Sequence, residues 1–197
     1  MKRACMVLVT IFIFFFAGCD RALKTELTIE EAISRETIIK WSPFMGELPL
    51  SCSIPDYLDS LVPDEKDIND YDFVYTFIDI DGDNNRDVIV ADSEYPIAFV
   101  IIKRGKDYYG GALHGRQAQQ IYSSGYILNY DGGGNESYYR IKLENEELIA
   151  EDFAIITCDN TPIYILQGEE VTKQEYDAWV EENCKEEVTF EHYEKND

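Results

Sequence analysis

The stretch Phe73-Val74-Tyr75-Thr76-Phe77-Ile78-Asp79-Ile80-Asp81-Gly82-Asp83-Asn84-Asn85-Arg86-Asp87-Val88-Ile89-Val90-Ala91 decides how this chain is read. Both ends are rich in β-branched and aromatic residues, which suit a pleated, half-buried surface, so 73–79 and 87–92 are expected to be strands joined by a tight acidic loop. Within the loop Asp79, Asp81, Asp83 and Asp87 stand at relative positions 1, 3, 5 and 9. A hard divalent cation takes about six to eight oxygens, and acids at alternate positions of a curling backbone can converge on one point, with the Asn85 carbonyl at position 7 completing the ring. The expected ligands of a structural Ca2+ are therefore Asp79, Asp81, Asp83, Asn85 and Asp87. Gly82 and Asn84 tolerate the positive φ that wrapping a cation requires. The same residues also suit an acidic hairpin turn without an ion, since Asp, Asn and Gly are common turn residues. Against that, so many acids in one short loop repel each other unless a counter-ion is present.

The loop is not an EF-hand. Position 6 is Asn84 rather than Gly, position 12 is Val90 rather than Glu, and the flanks are strand-like. Its strand–loop–strand context with the pattern D-x-D-G-D-x-x-x-D resembles the calcium loops of FG-GAP and VCBS-type β repeats.

Downstream, short apolar segments alternate with turn residues. Strands are expected at 97–103, 107–113, 118–123, 126–130, 137–143, 147–157 and 162–166, punctuated by Gly105, Gly110-Gly111, Ser124-Gly125, Gly132-Gly133-Gly134 and Asn145. Tight turns argue an antiparallel meander, because parallel pairing needs long crossovers. The 126–130 and 137–143 segments, on either side of the glycine run, form the clearest hairpin. Helices flank this β region. Thr28-Ile29-Glu30-Glu31 is a capping box opening a helix of about ten residues marked by Ile29, Ala32, Ile33 and Ile38. Residues 41–55, with Pro43, Gly46, Pro49 and Pro55, read as irregular connection, and 54–61 fits a short helix with Pro55 in its first turn. Residues 64–72 are an acidic loop. Thr172-Lys173-Gln174-Glu175 opens a helix from 173 to about 185 with Tyr176, Trp179, Val180 and Cys184 on one stripe. An edge strand through Val188-Thr189-Phe190 is expected in the tail. The fold class is α+β: an antiparallel β-meander with short N-terminal helices and one C-terminal helix.

The N-terminus carries an address. Lys2 and Arg3 precede an apolar core from Met6 to Phe16, which ends in Phe16-Ala17-Gly18-Cys19. That core spans only about 16–20 Å as a helix, short of a bilayer's apolar thickness, so a cleaved signal is expected rather than a membrane span. Phe16-Ala17-Gly18-Cys19 resembles the bacterial lipobox, with Phe16 in place of the usual Leu. The resemblance implies a diacylglycerol on the Cys19 thiol, cleavage just before it, and an extracytoplasmic protein anchored to the membrane through its lipid. Asp20 resembles the signal that retains lipoproteins at the inner membrane of a double-membrane cell. The expected organisation is 1–18 signal peptide, 19–27 lipidated N-terminus and spacer, 28–190 a single α+β domain with the calcium loop 79–87, and 191–197 an acidic tail.

Composition narrows the partners. With 17 basic and 39 acidic residues the formal net charge is −22. Nucleic acid is excluded as a natural partner, because phosphate binding needs a basic face. An anionic leaflet also repels such a surface, leaving attachment to the lipid. Cys5 leaves with the signal and Cys19 takes the lipid. Of Cys52, Cys158 and Cys184, a Cys158–Cys184 bridge is the first choice if one forms, while all three buried and unpaired is the simpler arrangement.

No catalytic signature is present. The histidines, His114 in a turn-like context and His192 in the tail, accompany no nucleophile elbow, no H-E-x-x-H and no phosphate loop. The expected role is a non-catalytic binding or surface-display module for an unidentified protein or carbohydrate; the alternative is a calcium-stabilised envelope hydrolase using a carboxylate pair. Tyr108, Tyr109, Tyr122, Tyr126, Tyr130, Tyr138 and Tyr139 either line an exposed recognition face or turn their rings into the core.

The lipobox, the 77–83 loop running into Val88-Ile89-Val90, and the helix start Glu170-Val171-Thr172-Lys173-Gln174-Glu175-Tyr176 together resemble uncharacterised bacterial surface lipoproteins. In these, a D-x-D-G-D/N-G loop and strand lead into a β-meander and a closing V-S/T-x-x-E-Y helix. The resemblance covers about residues 70–185. Asn84 replaces the usual second Gly and Asp87 stands where Glu is frequent, and both keep oxygen donors. The resemblance implies a calcium loop and carries no activity.

Overall fold

The computed structural model describes residues 27–43, 51–61, 71–93, 97–114, 120–130, 133–158 and 161–194. In chain order the elements are α1 (Ile29–Ile33), β1 (Ile39–Trp41), β2 (Ser51–Cys52), α2 (Ile54–Leu61), β3 (Phe73–Ile78), β4 (Asp87–Asp92), β5 (Ile97–Arg104), β6 (Asp107–His114), β7 (Gln120–Ile121), β8 (Ile127–Tyr130), β9 (Glu136–Glu144), β10 (Glu147–Thr157), β11 (Ile163–Leu166), β12 (Glu169–Val171), α3 (Lys173–Asn183) and β13 (Glu191–His192). The signal peptide, Cys19, most of the spacer and most of the 64–72 loop lie outside the described residues.

The class is α+β, and the meander is divided between two sheets. One runs β13-β3-β4-β5-β6-β1-β2 and the other β12-β11-β10-β9-β8-β7. Strand periodicity explains the layering. On β4 and β5, Val88, Val90, Phe99 and Ile101 pack with the apolar faces of α1 and α2, while Ile89, Val100 and Ile102 pack with Ile127, Tyr139 and Ile141 of the second sheet. Both strands are thus buried on both faces, which requires their near-continuous apolar sequence. The outer face of the second sheet is closed by α3, whose Tyr176 joins Tyr122, Tyr126, Leu128, Tyr138 and Ala154. The expected hairpin forms as β8–β9, with Ile127 opposite Tyr139 and Leu128 opposite Tyr138.

Several expectations are corrected. The first helix ends after Ile33, because Ser34 turns extended and the Glu31 carbonyl is taken by the Ser34 N–H and the Thr37 hydroxyl. Ile38 is consequently 53% exposed rather than on a helical stripe. The chain instead re-enters as β1, whose Ile39 and Trp41 are buried and which runs parallel to β6, the exception to antiparallel pairing among the described residues. Gly110-Gly111 is no turn but lies within β6; a Cβ on Gly110 would come within 2.6 Å of the Ile39 side chain, so glycine is what lets β1 approach. Part of the irregular connection, Ser51–Cys52, pairs with β1. The tail strand is Glu191–His192 on the edge of β3 rather than 188–190, because the Val188 N–H is committed to the Ile121 carbonyl. Cys52, Cys158 and Cys184 are unpaired as anticipated, but none of them is buried: Cys158 is exposed, and Cys52 and Cys184 are half-buried.

Candidate metal centre

The β3–β4 loop is a cage built from its own backbone. Asp79 accepts the Gly82 N–H at 2.8 Å and the Asp83 N–H at 3.0 Å on Oδ1, and the Asn84 N–H at 2.9 Å on Oδ2. Gly82 and Asn84 take φ of 78° and 64°, the left-handed conformations that curl the chain round that carboxylate. At the far end the Asp87 Oδ2 accepts the Ile80 N–H at 3.2 Å, and Ile80 itself is fully buried in the core between the sheets. The loop is therefore held from within and pinned beneath.

Three of the expected ligands meet. One oxygen each from Asp79, Asp81 and Asp87 lies within 4.8 Å of the others, an arrangement able to hold a metal ion. Asp83 sits beside them but turns to its neighbours: Oδ1 accepts the Asn85 N–H at 2.8 Å, and Oδ2 the Asn85 side-chain amide. Burial is severe, with the Asp81 and Asp87 side chains only 6% and 1% exposed. Burial pushes the Asp87 carboxyl up to about 8, with the Asp81 charge adding to it and the Ile80 hydrogen bond and Arg104 opposing. Burial likewise raises Asp81, against the pull of Arg104.

Arg104, at the end of β5, is the residue that sequence reasoning missed. Its Nη2 donates to Asp81 and lies 2.9 Å from Asp83, and its Nη1 lies 4.0 Å from Asp87. The signal was present in the register: Ile101 pairs with Val88, and continuing that antiparallel count carries Arg104 to the level of the loop. A second guanidinium comes from the other sheet. Arg140 of β9 donates to the Ser124 carbonyl, lies over the Tyr126 ring at 4.5 Å, and faces Gly82. Gly125 packs so closely under the loop that a Cβ there would stand 2.7 Å from the Asp79 carbonyl.

The remaining candidates lie elsewhere. Tyr109, Tyr122, Tyr126, Tyr138 and Tyr139 are buried, Tyr108 is half-buried on Glu31, and Tyr130 is exposed, so the tyrosine run serves mainly the core. His114 ends β6 and His192 lies in β13 at 3.5 Å from Asp72. Cys19 is outside the described residues. No family model, curated protein or solved structure matches the chain.

Proposed function

We propose that the protein is a membrane-anchored extracytoplasmic lipoprotein whose folded domain holds a structural Ca2+ in the β3–β4 loop and serves as a non-catalytic binding or display module. The convergence of Asp79, Asp81 and Asp87 carries the metal half of this reading. Carboxylates are hard donors suited to calcium, magnesium or manganese. A backbone-cradled loop that supplies carboxylates and carbonyls of adjustable number favours calcium, since magnesium demands a near-ideal octahedron. The role is structural: the acids are sunk at the end of a hairpin whose Ile80 belongs to the core between the sheets, which leaves little room for a substrate.

Lys2-Arg3, the apolar 6–16 segment and Cys19 support the anchor. Two acyl chains on one cysteine hold a protein at a membrane where a single chain does not. The acidic surface supports a partner other than nucleic acid, a protein or carbohydrate met outside the cytoplasm.

Two measurements test the halves separately. Thermal unfolding in calcium and in chelator should differ, by about 2.7 kcal/mol of stability at a hundredfold excess over Kd. Identical melting in both removes the structural metal. Cys19→Ala should move the protein out of the membrane fraction, and unchanged partition would remove the anchor.

A further inference from the structure

Arg104 brings the only cationic group described in ion-pair contact with the loop acids, and it does so by reaching across from β5. Its Nη2 contacts the Oδ2 atoms of both Asp81 and Asp83. A divalent ion bound to Asp81 would stand about 2.3–2.6 Å from its oxygens. Cation and guanidinium would then share one carboxylate at close quarters, two positive charges competing for the same lone pairs. We propose that Arg104 is the loop's built-in counter-ion and sets its metal affinity: seated on Asp81 and Asp83 in the metal-free chain, it is displaced when a divalent cation enters among Asp79, Asp81 and Asp87. This inference rests on the loop being a metal site.

The exchange has a route and a destination. The Arg104 side chain is 31% exposed, so it can leave without unpacking the core. Its cross-strand partner in the β5–β6 hairpin is Asp107, a partly exposed carboxylate that also stands 3.6 Å from the Lys40 ammonium. Its Nη1 already donates to the Lys103 carbonyl at 3.2 Å, an anchor outside the cage. Lys103 does not compete for these acids, since its ammonium is held by both Glu31 oxygens at 2.7 and 3.0 Å. The device keeps the buried acids partly neutralised in either state, at the cost of a weaker apparent affinity for the ion. Apparent Kd rises by the inverse of the fraction of molecules whose site is open.

Calorimetric titration of native and Arg104→Gln protein with calcium chloride tests this. The variant should bind about tenfold more tightly, as expected if the guanidinium is seated in nine of ten metal-free molecules. Equal or weaker binding by the variant, with the native chain still binding, would overturn the counter-ion role and leave the metal site standing. Absence of binding by both chains would overturn the two together. Should the variant fail to fold, side-chain NMR of the native protein decides: the Arg104 Nε–H signal should shift and exchange faster with water at calcium saturation, and an unchanged signal overturns the proposal.

Discussion

Two acidic turns in this protein share a composition and differ in what they can do. The β3–β4 loop and the β9–β10 turn at Asn145-Glu146 both carry clustered acids and both use left-handed Asn, with φ of 64° at Asn84 and 51° at Asn145. In the second, Glu144 pairs opposite Glu147 and Glu146 is 71% exposed, meeting the Lys40 ammonium at 3.5 Å across solvent. Water screens those charges, and nothing draws them together. In the first, three backbone N–H groups orient Asp79, and burial commits Asp81 and Asp87 to each other and to Arg104. Acid density is common to both turns; convergence and desolvation belong to one.

The largest effect should come from the seam that ties the first turn to the second sheet. Gly125→Ala forces a Cβ against the Asp79 carbonyl at a φ of +84° and should cost about 2–4 kcal/mol by denaturant unfolding, from overpacking plus left-handed strain. Gly168→Ala, at φ +85° with open space around it, should cost about 1 kcal/mol. Equal costs would show that the loop is not braced from below.

Next comes the metal response. Asp81→Ala with Asp87→Ala should erase the calcium-dependent stabilisation of about 2.7 kcal/mol at a hundredfold excess over Kd, whereas Glu146→Ala with Glu147→Ala should retain it. Retention by both pairs would place the ion elsewhere.

The pH dependence is smaller per unit and opposite in sign to ordinary acid denaturation. Asp87, raised by burial to about 8 from its usual value near 3.8, keeps a proton in the folded metal-free chain that the unfolded chain has lost. Its contribution to stability is intact below pH 4 and is lost as pH rises towards 8, with a slope of up to about 1.4 kcal/mol per pH unit. Asp87→Asn should flatten that slope in chelator, and saturating calcium should flatten it in the native chain. A native chain in chelator whose Asp87-dependent contribution grows with pH instead would contradict the burial argument.

The smallest effect belongs to the exposed turn. Glu146→Gln removes one partner of a solvent-exposed pair and should change stability by less than about 0.5 kcal/mol.

What the sequence displayed follows the range of the interactions involved. The 79–87 loop was legible because its geometry is set locally, by Asp79 accepting from residues three to five positions on and by Gly82 and Asn84 at positive φ. The capping box of α3 was legible for the same reason, with Thr172 and Glu175 bonded reciprocally. The short first helix was harder, since Thr37 ends it by reaching back six residues to Glu31. Arg104 was missed because only the β4–β5 register brings it to the acids. The division into two sheets was likewise invisible, as Val100 and Phe99 are equally apolar and only packing tells which sheet face each one serves. β1 depended on Gly110, far along the chain, leaving space for Ile39 and Trp41.

Amide NMR during a calcium titration compares the two turns in one experiment. The account predicts saturable, one-to-one shifts at the amides of Gly82, Asp83, Asn84 and Asn85, with those of Asn145, Glu146 and Glu147 unmoved. Small, non-saturating shifts of equal size at both turns would show general charge screening, and would contradict the claim that burial and convergence make the β3–β4 loop a metal site.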